Sequence, residues 1–372
     1  MKSYIVIGAG ILGASTAYHL AKNGAAVTII DRKHPGQATE AAAGIVCPWL
    51  TKRRNSEWYH LVTEGARYYP TLVGSLQEDG EAETGYKKVG AINIFGEGKE
   101  SMLQRKFELA LERREDTPEM GSITKLSREE THALFPLLAD EYSALHIGGG
   151  ARVNGRAMRD ALIQAAEKHG AVRVHGQAQL THEEDEQVGV IVNGKEVVAD
   201  DVLVTGGAWA KQLLEPLGLS FQVTYQKAQI IHLQTNEFQT DDWPVVMPPF
   251  GQYFLTFGNG QIVVGATAED GVNDTRVTAG GVYEVLNKAF KVAPGFSDCE
   301  YVETKVGFRP FTPDSLPVIG KVPGYANLYT ANGLGASGLT SGPFVGKELA
   351  ALVMDDVTTL HLSNYDVCKA LR

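Results

Sequence analysis

The stretch SYIVIGAGILGASTAYHLAKNGAAVTIID, residues 3–31, reads as one complete strand–turn–helix–strand unit. Tyr4 to Ile7 are continuously apolar, the pattern of a strand buried on both faces. Gly8, Gly10 and Gly13 follow as GxGxxG. Ile11 to Lys22 then carry helical periodicity, Asn23-Gly24 stops it, and Val27 to Ile30 form a second strand ending on Asp31. Each glycine has its own reason: Gly8 permits the tight turn, Gly10 lets a pyrophosphate approach the backbone, and Gly13 lets helix and strand pack closely. Ile11 and Leu12 open the helix, whose N–H groups and partial positive charge suit phosphates. Asp31 is placed to accept hydrogen bonds from an adenosine ribose. A lone GxGxxG says little, but here strand, helix and acid are all in position, and a dinucleotide is expected.

The composition outside this unit narrows the class. Hydrophobic residues make up 44% of the 372 and charged ones 21%, which suits a soluble globular protein. A net charge of −10 argues against a nucleic-acid partner, which needs a basic face. The basic run TKRR (51–54) reads as a solvated loop. Cys47, Cys299 and Cys368 are far apart and odd in number, so neither a disulfide framework nor a CxxC metal site is expected. The ten histidines show no ligand spacing, and no metal is expected. With no signal peptide ahead of Tyr4 and no apolar stretch of membrane-spanning length, the expected address is cytoplasmic.

Further along, VGAINIF (89–95) reads as a strand and KFELALERRE (106–115) as an exposed helix laced with charge. Ser127 and Glu130 form a capping-box signature, and NGRAMRDALIQAAEKHG (154–170) is an amphipathic helix closed by glycine. Asn193-Gly194 marks a hairpin turn. Residues 221–270 are strand-rich, with a turn at Gly258-Asn259-Gly260. The last stretch, 327–355, is strand, glycine-rich loop, then helix. The fold class is α/β: a doubly wound, Rossmann-like dinucleotide-binding domain with an interleaved antiparallel-sheet domain for the substrate. The first is expected to use residues 1–80, 145–220 and 305–372, and the second 81–144 and 221–304.

Arg32 and Lys33 after the ribose acid leave a 2′-phosphate, and hence NADP, open. Three later pieces point instead to FAD. TEAAAGIV (39–46) is a run of small residues suited to close approach of a pyrophosphate and flavin, through Thr39, Ala42, Ala43 and Gly44. VTGGAW (204–209) ends a buried strand on Gly206 and Gly207, followed by Trp209. GLGASGLTSGPFVG (333–346) sets a loop at a helix N-terminus, with Gly335, Gly338, Leu339 and Thr340 nearest to it. A fourth stretch, VGFRPFTPDSLPVIG (306–320), sets Arg309 between Phe308 and Pro310. A permanent cation in such company is either paired with an acid, Asp314 being in reach along the chain, or held for an anion.

Together VIGAGILGASTAYHLAKNG, ATEAAAGIV, VLVTGGAWA, GFRPFTPDSLPVIG and the final glycine loop resemble the D-amino-acid-oxidase type of FAD-dependent oxidoreductase. That group includes glycine oxidase, sarcosine oxidase and the small subunit of D-amino-acid dehydrogenase, and the likeness runs over essentially the whole chain. It implies non-covalent FAD. It also implies hydride transfer from the α-carbon of a D-amino acid or N-substituted glycine to flavin N5, with the imine then hydrolysed. No catalytic residue beyond the flavin is implied. Arg309 matches the arginine that pairs with the substrate carboxylate, Tyr253 a pocket tyrosine of the glycine-oxidase branch, and Tyr225 a second candidate of that kind.

Several residues depart from the family pattern. Asp31 stands where glutamate is usual, and Glu40 where a small polar residue is common. Gly335-Ala336-Ser337 replaces bulkier residues, and QIVVGAT (261–267) has no oxygen-activating lysine. A 2-hydroxy-acid dehydrogenase and a flavoprotein subunit active only with a partner stay open as alternatives. So do a homo-oligomer, an electron-acceptor partner and peripheral membrane contact.

Overall fold

The computed structural model describes residues 2–372 and is built on two large sheets. The first has six strands in the order Val318–Lys321, Leu328–Asn332, Asp201–Val204, Ser3–Ile7, Ala26–Asp31, Val172–His175. All neighbours run parallel except the edge strand Val318–Lys321. Alternation along Ser3–Ile7 explains how both faces are covered. Tyr4 and Val6 point to one side, where helices Ile11–Lys22, Gly155–Lys168 and Gly338–Val353 pack. Ile5 and Ile7 point to the other and meet Leu180, Val188 and Val190 of a three-stranded meander, Ala178–His182, Val188–Val192 and Lys195–Val197. The expected βαβ unit is present residue for residue in its helix, Ile11–Lys22.

The second sheet has nine strands. Its backbone is a long antiparallel pair, Thr224–Gln234 with Glu300–Phe311. Gln261–Gly265 and Tyr253–Thr256 continue it, and Val245–Met247 joins Ala91–Phe95 in its one parallel pairing. Period-two alternation again divides the residues. Ile230, Leu255, Val263, Ala91 and Leu145 face the six-stranded half, whereas Ile231, Phe254, Ile262 and Val264 lie under helix Ala279–Phe290. That helix and the 23-residue helix Ser56–Glu78 are not among the sequence expectations. Pro310 is tolerated because Glu300–Phe311 has a ladder partner on one side only, Thr224–Gln234. The same strand runs across the expected domain boundary at 304–305, and Ser143–Ile147 across the one at 144–145.

The capping box is made: Ser127 Oγ accepts from the Glu130 N–H, and the Glu130 side chain accepts from the Ser127 N–H. Asn193 and Gly194 both adopt positive φ in the expected hairpin turn. Among the described residues no helix is long and apolar enough to cross a membrane.

Candidate active site

A cavity of about 580 Å³ has the glycine loop after Ser3–Ile7 in its wall at one end and the inner face of the nine-stranded sheet at the other. The glycine loop is held from three sides. Asp31 Oδ2 accepts from the Ala9 N–H at 2.7 Å, Thr39 Oγ1 accepts from the Ile11 N–H at 3.0 Å, and Thr205 Oγ1 donates to the Gly8 carbonyl at 2.8 Å. Thr205 is a residue that sequence reasoning missed, since only the parallel pairing of Asp201–Val204 with Ser3–Ile7 brings it there. Among the described residues, the N–H groups of Gly10 and Leu12 find no acceptor, so they are left for a ligand.

The cradle is shaped for a group that approaches the backbone closely. Gly8 has φ +105°, and a Cβ on it would lie 2.7 Å from the Thr205 carbonyl oxygen. A Cβ on Gly13 would overlap the Gly8 carbonyl oxygen and the Thr205 hydroxyl. Gly13 does not touch the cavity; it serves the helix–strand packing expected of it. The other dinucleotide candidates all line the wall. Gly10, Ile11, Leu12, Asp31, Arg32 and Thr39 form one end, with Trp209 beside His34 and Arg32. Ala42, Ala43, Gly44, Gly206 and Gly207 form the middle. Gly335, Gly338, Leu339 and Thr340 open the 16-residue helix Gly338–Val353 toward it. Two helix N-termini at the wall, the spare Gly10 and Leu12 donors, an acid at the end of Ala26–Asp31 and the glycine approaches suit an elongated anionic dinucleotide such as FAD.

Glu40, whose place was open in the sequence, lies between Arg156 at 2.8 Å and Arg159. Burial opposes its ionisation, but the two arginines hold its carboxyl below the usual range. Cys47 is buried and does not line the cavity; burial pushes its thiol up to about 12, so it is an inert packed group.

At the sheet end stand Tyr253 and Arg309, with Ala228 and Ile230 as an apolar floor, whereas Phe308 alternates to the other face of its strand and lies edge-on to Trp209 with ring centroids 6.2 Å apart. Arg309 Nη1 donates to Gln226 Oε1 at 2.9 Å. Among the described residues no carboxylate comes within 4.0 Å of Arg309, and Asp314, in a tight turn at φ +58°, makes no pair with it. The structural pairing that the sequence left open is therefore absent. Its neighbour in the ladder shows the contrast. Lys227, fully buried, is neutralised by Asp274 at 2.9 Å and Glu269 at 3.9 Å.

Tyr253 leans over Gly265, which has no side chain to obstruct it. Burial pushes its phenol up, while the Arg309 guanidinium beside it pulls the other way. The hydroxyl therefore stays a neutral donor. Tyr225 is not brought in. It sits on the opposite face of its strand, edge-on to Phe308 with ring centroids 5.4 Å apart, and it does not line the cavity. The side chain that meets Arg309 is its neighbour Gln226, which the sequence did not single out. Among the described residues at this end of the cavity, Arg309 is the one charged side chain, with no histidine, lysine or carboxylate in the wall.

Residues 3–352 match the DAO family of FAD dependent oxidoreductases. An uncharacterised oxidoreductase of Bacillus subtilis (strain 168) is 60% identical over 373 residues, covering 100% of both chains. The crystal structure of iminodiacetate oxidase from Chelativorans sp. BNC1 is 45% identical, with a TM-score of 0.94 and 98% of each chain covered. That of glycine oxidase from Geobacillus kaustophilus is 25% identical, with a TM-score of 0.86 and 99% of each chain covered. The glycine cradle, the spare helix N–H groups and this match over most of the chain agree, and the chain belongs to the DAO family as an FAD-dependent oxidoreductase.

Proposed function

We propose that this enzyme oxidises the C–N bond of an amino acid whose carboxylate pairs with Arg309. The substrate class is a D-amino acid or an N-substituted glycine, and the likeness to iminodiacetate oxidase favours a secondary amine bearing a carboxymethyl group. One observation carries the reading: Arg309 faces the cavity with its charge uncancelled, while the adjacent buried cation Lys227 is fully paired. A guanidinium presents a planar fork to a carboxylate and keeps its charge when desolvated. The Tyr253 hydroxyl adds a donor beside it, and Ala228 and Ile230 keep the α-carbon in an apolar, water-poor place. FAD, held by the glycine cradle, would supply the two-electron acceptor for a hydride from that carbon. No protein base stands at this end, so the amine enters unprotonated and the imine formed is hydrolysed by water.

Anaerobic bleaching of the flavin band tests this with iminodiacetate, sarcosine, glycine, D-alanine, L-proline and lactate. Bleaching by the amines but not by lactate supports the amine class, and the rate of recolouring in air separates an oxidase from a dehydrogenase. Bleaching by lactate alone refutes it.

A further inference from the structure

Arg309 is the end of a relay. Its Nη1 donates to Gln226 Oε1 at 2.9 Å, and Gln226 Nε2 donates to Asp270 Oδ1 at 2.9 Å. Register makes this arrangement obligatory. Gln226 lies on the middle strand, opposite Arg309 on one side and opposite Asp270, in the short strand Glu269–Asp270, on the other. An amide between a cation and a carboxylate has one favourable orientation, oxygen toward the guanidinium and nitrogen toward the acid.

The next position along the same strand solves the opposite problem. Lys227 meets Asp274 directly, and that cation is neutralised where it stands. At Arg309 a neutral group separates cation from acid. One arm of the guanidinium is thereby fixed, and its charge is not cancelled. A carboxylate in the place of Gln226 would form a charge-assisted pair with Arg309 and compete with any incoming carboxylate.

We propose that Gln226 is a positioning residue for substrate carboxylate recognition: a neutral spacer, oriented by Asp270, that sets the Arg309 fork and keeps its charge available. The proposal rests on the reading of Arg309 as the carboxylate clamp. It makes the identity of residue 226 a determinant of affinity for anionic substrates and leaves the hydride-transfer step untouched.

The test uses flavin-loaded protein, with acetate binding followed by the flavin absorbance and steady-state KM and kcat for the best amine substrate. Gln226→Glu, made in an Asp270→Asn background so that its carboxylate accepts from the new amide instead of facing the acid, is expected to raise both the acetate Kd and KM by about tenfold or more, with kcat little changed and thermal stability kept. Gln226→Met removes the hold and leaves the Arg309 charge in place, so KM rises only about two- to fivefold, the cost of a less well oriented fork rather than of a lost contact to substrate. Should the Gln226→Glu protein fail to load with flavin, Gln226→Asp sets the same charge one methylene further from Arg309 and should still raise KM more than Gln226→Met does.

Equal losses in Gln226→Glu and Gln226→Met, with kcat and melting temperature falling together, would mean a merely structural glutamine and overturn the proposal. Unchanged acetate binding in Gln226→Glu, alongside its loss in Arg309→Met, overturns the proposal and leaves the clamp standing. Unchanged binding in Arg309→Met removes the clamp reading and this inference with it.

Discussion

Replacing Arg309 by methionine isolates the carboxylate contact. The side chain has no acid partner among the described residues and one protein hydrogen bond, to Gln226. Its loss therefore costs the fold about 1.5–3 kcal/mol at most, the size of one hydrogen bond from a charged group. Binding should suffer more, because a desolvated carboxylate left without its cation costs about 3–5 kcal/mol. At about 1.36 kcal/mol per decade, kcat/KM for a carboxylate-bearing amine should fall by about two to four decades. Arg309→Lys keeps the charge and loses the fork, so its loss should be nearer tenfold. Anaerobic stopped-flow reduction against substrate concentration separates binding from chemistry, and comparison with a carboxylate-free amine of similar size gives an internal control. The variant should discriminate between the two much less than the parent does. Flavin reduction in Arg309→Met with unchanged concentration dependence for the carboxylate substrate would refute the clamp.

Tyr253→Phe should raise KM by about tenfold, the size of one hydrogen bond to a charged group, and leave the fold intact. Since burial raises the Tyr253 phenol, the parent's KM should show no break from this group between pH 6 and 9; a break removed by the mutation would contradict this. Gly13→Ala places a Cβ on the Gly8 carbonyl, which the backbone cannot yield. It should destabilise by about 2 kcal/mol or more and lower flavin content, read by melting temperature and absorbance ratio. Burial, reinforced by the nearby charges of Lys347 and Lys22, lowers the His19 imidazole to about 3. Below its ordinary value of 6.5 the unfolded chain takes up a proton that the folded one refuses. Stability should then fall by up to about 1.4 kcal/mol per pH unit down to about pH 3. His19→Gln should flatten that slope, and parallel melting curves for parent and variant across this range would disprove the assignment.

The cofactor half was legible because its chemistry is local. Gly8 to Gly13 and Asp31 lie within one βαβ unit, so spacing alone fixes who faces whom. The helix Gly338–Val353 was legible for the same reason, as a strand, a glycine loop and an apolar helix in succession. What stayed hidden needs partners far away in sequence. Thr205 reaches the Gly8 carbonyl from 197 residues away, and helix Ala279–Phe290 carries Gly280 and Gly281 in its first turn, which reads as loop. Its reason for being helical is tertiary: Val285 and Ala289 cover the outer face of the nine-stranded sheet.

The two residues Tyr225 and Gln226 show where the limit falls. Alternation in TYQKAQIIHLQ says that they point to opposite sides of one strand, and nothing more. Chemical type favours the tyrosine, whose hydroxyl resembles that of Tyr253. Which side faces the cavity depends on the register with Glu300–Phe311, set across about eighty residues of chain, and that register places Arg309 opposite Gln226. A slip of one residue would put Tyr225 beside the guanidinium and bury Gln226 against Phe308, with Lys227 stripped of Asp274. The buried Lys227–Asp274 pair opposes such a slip when Thr224–Gln234 is the strand that moves, since it would leave an ammonium at 0% exposure without its acid. The paired cation on one face of the strand thus holds Gln226 on the other, opposite Arg309, whose charge is left for a ligand.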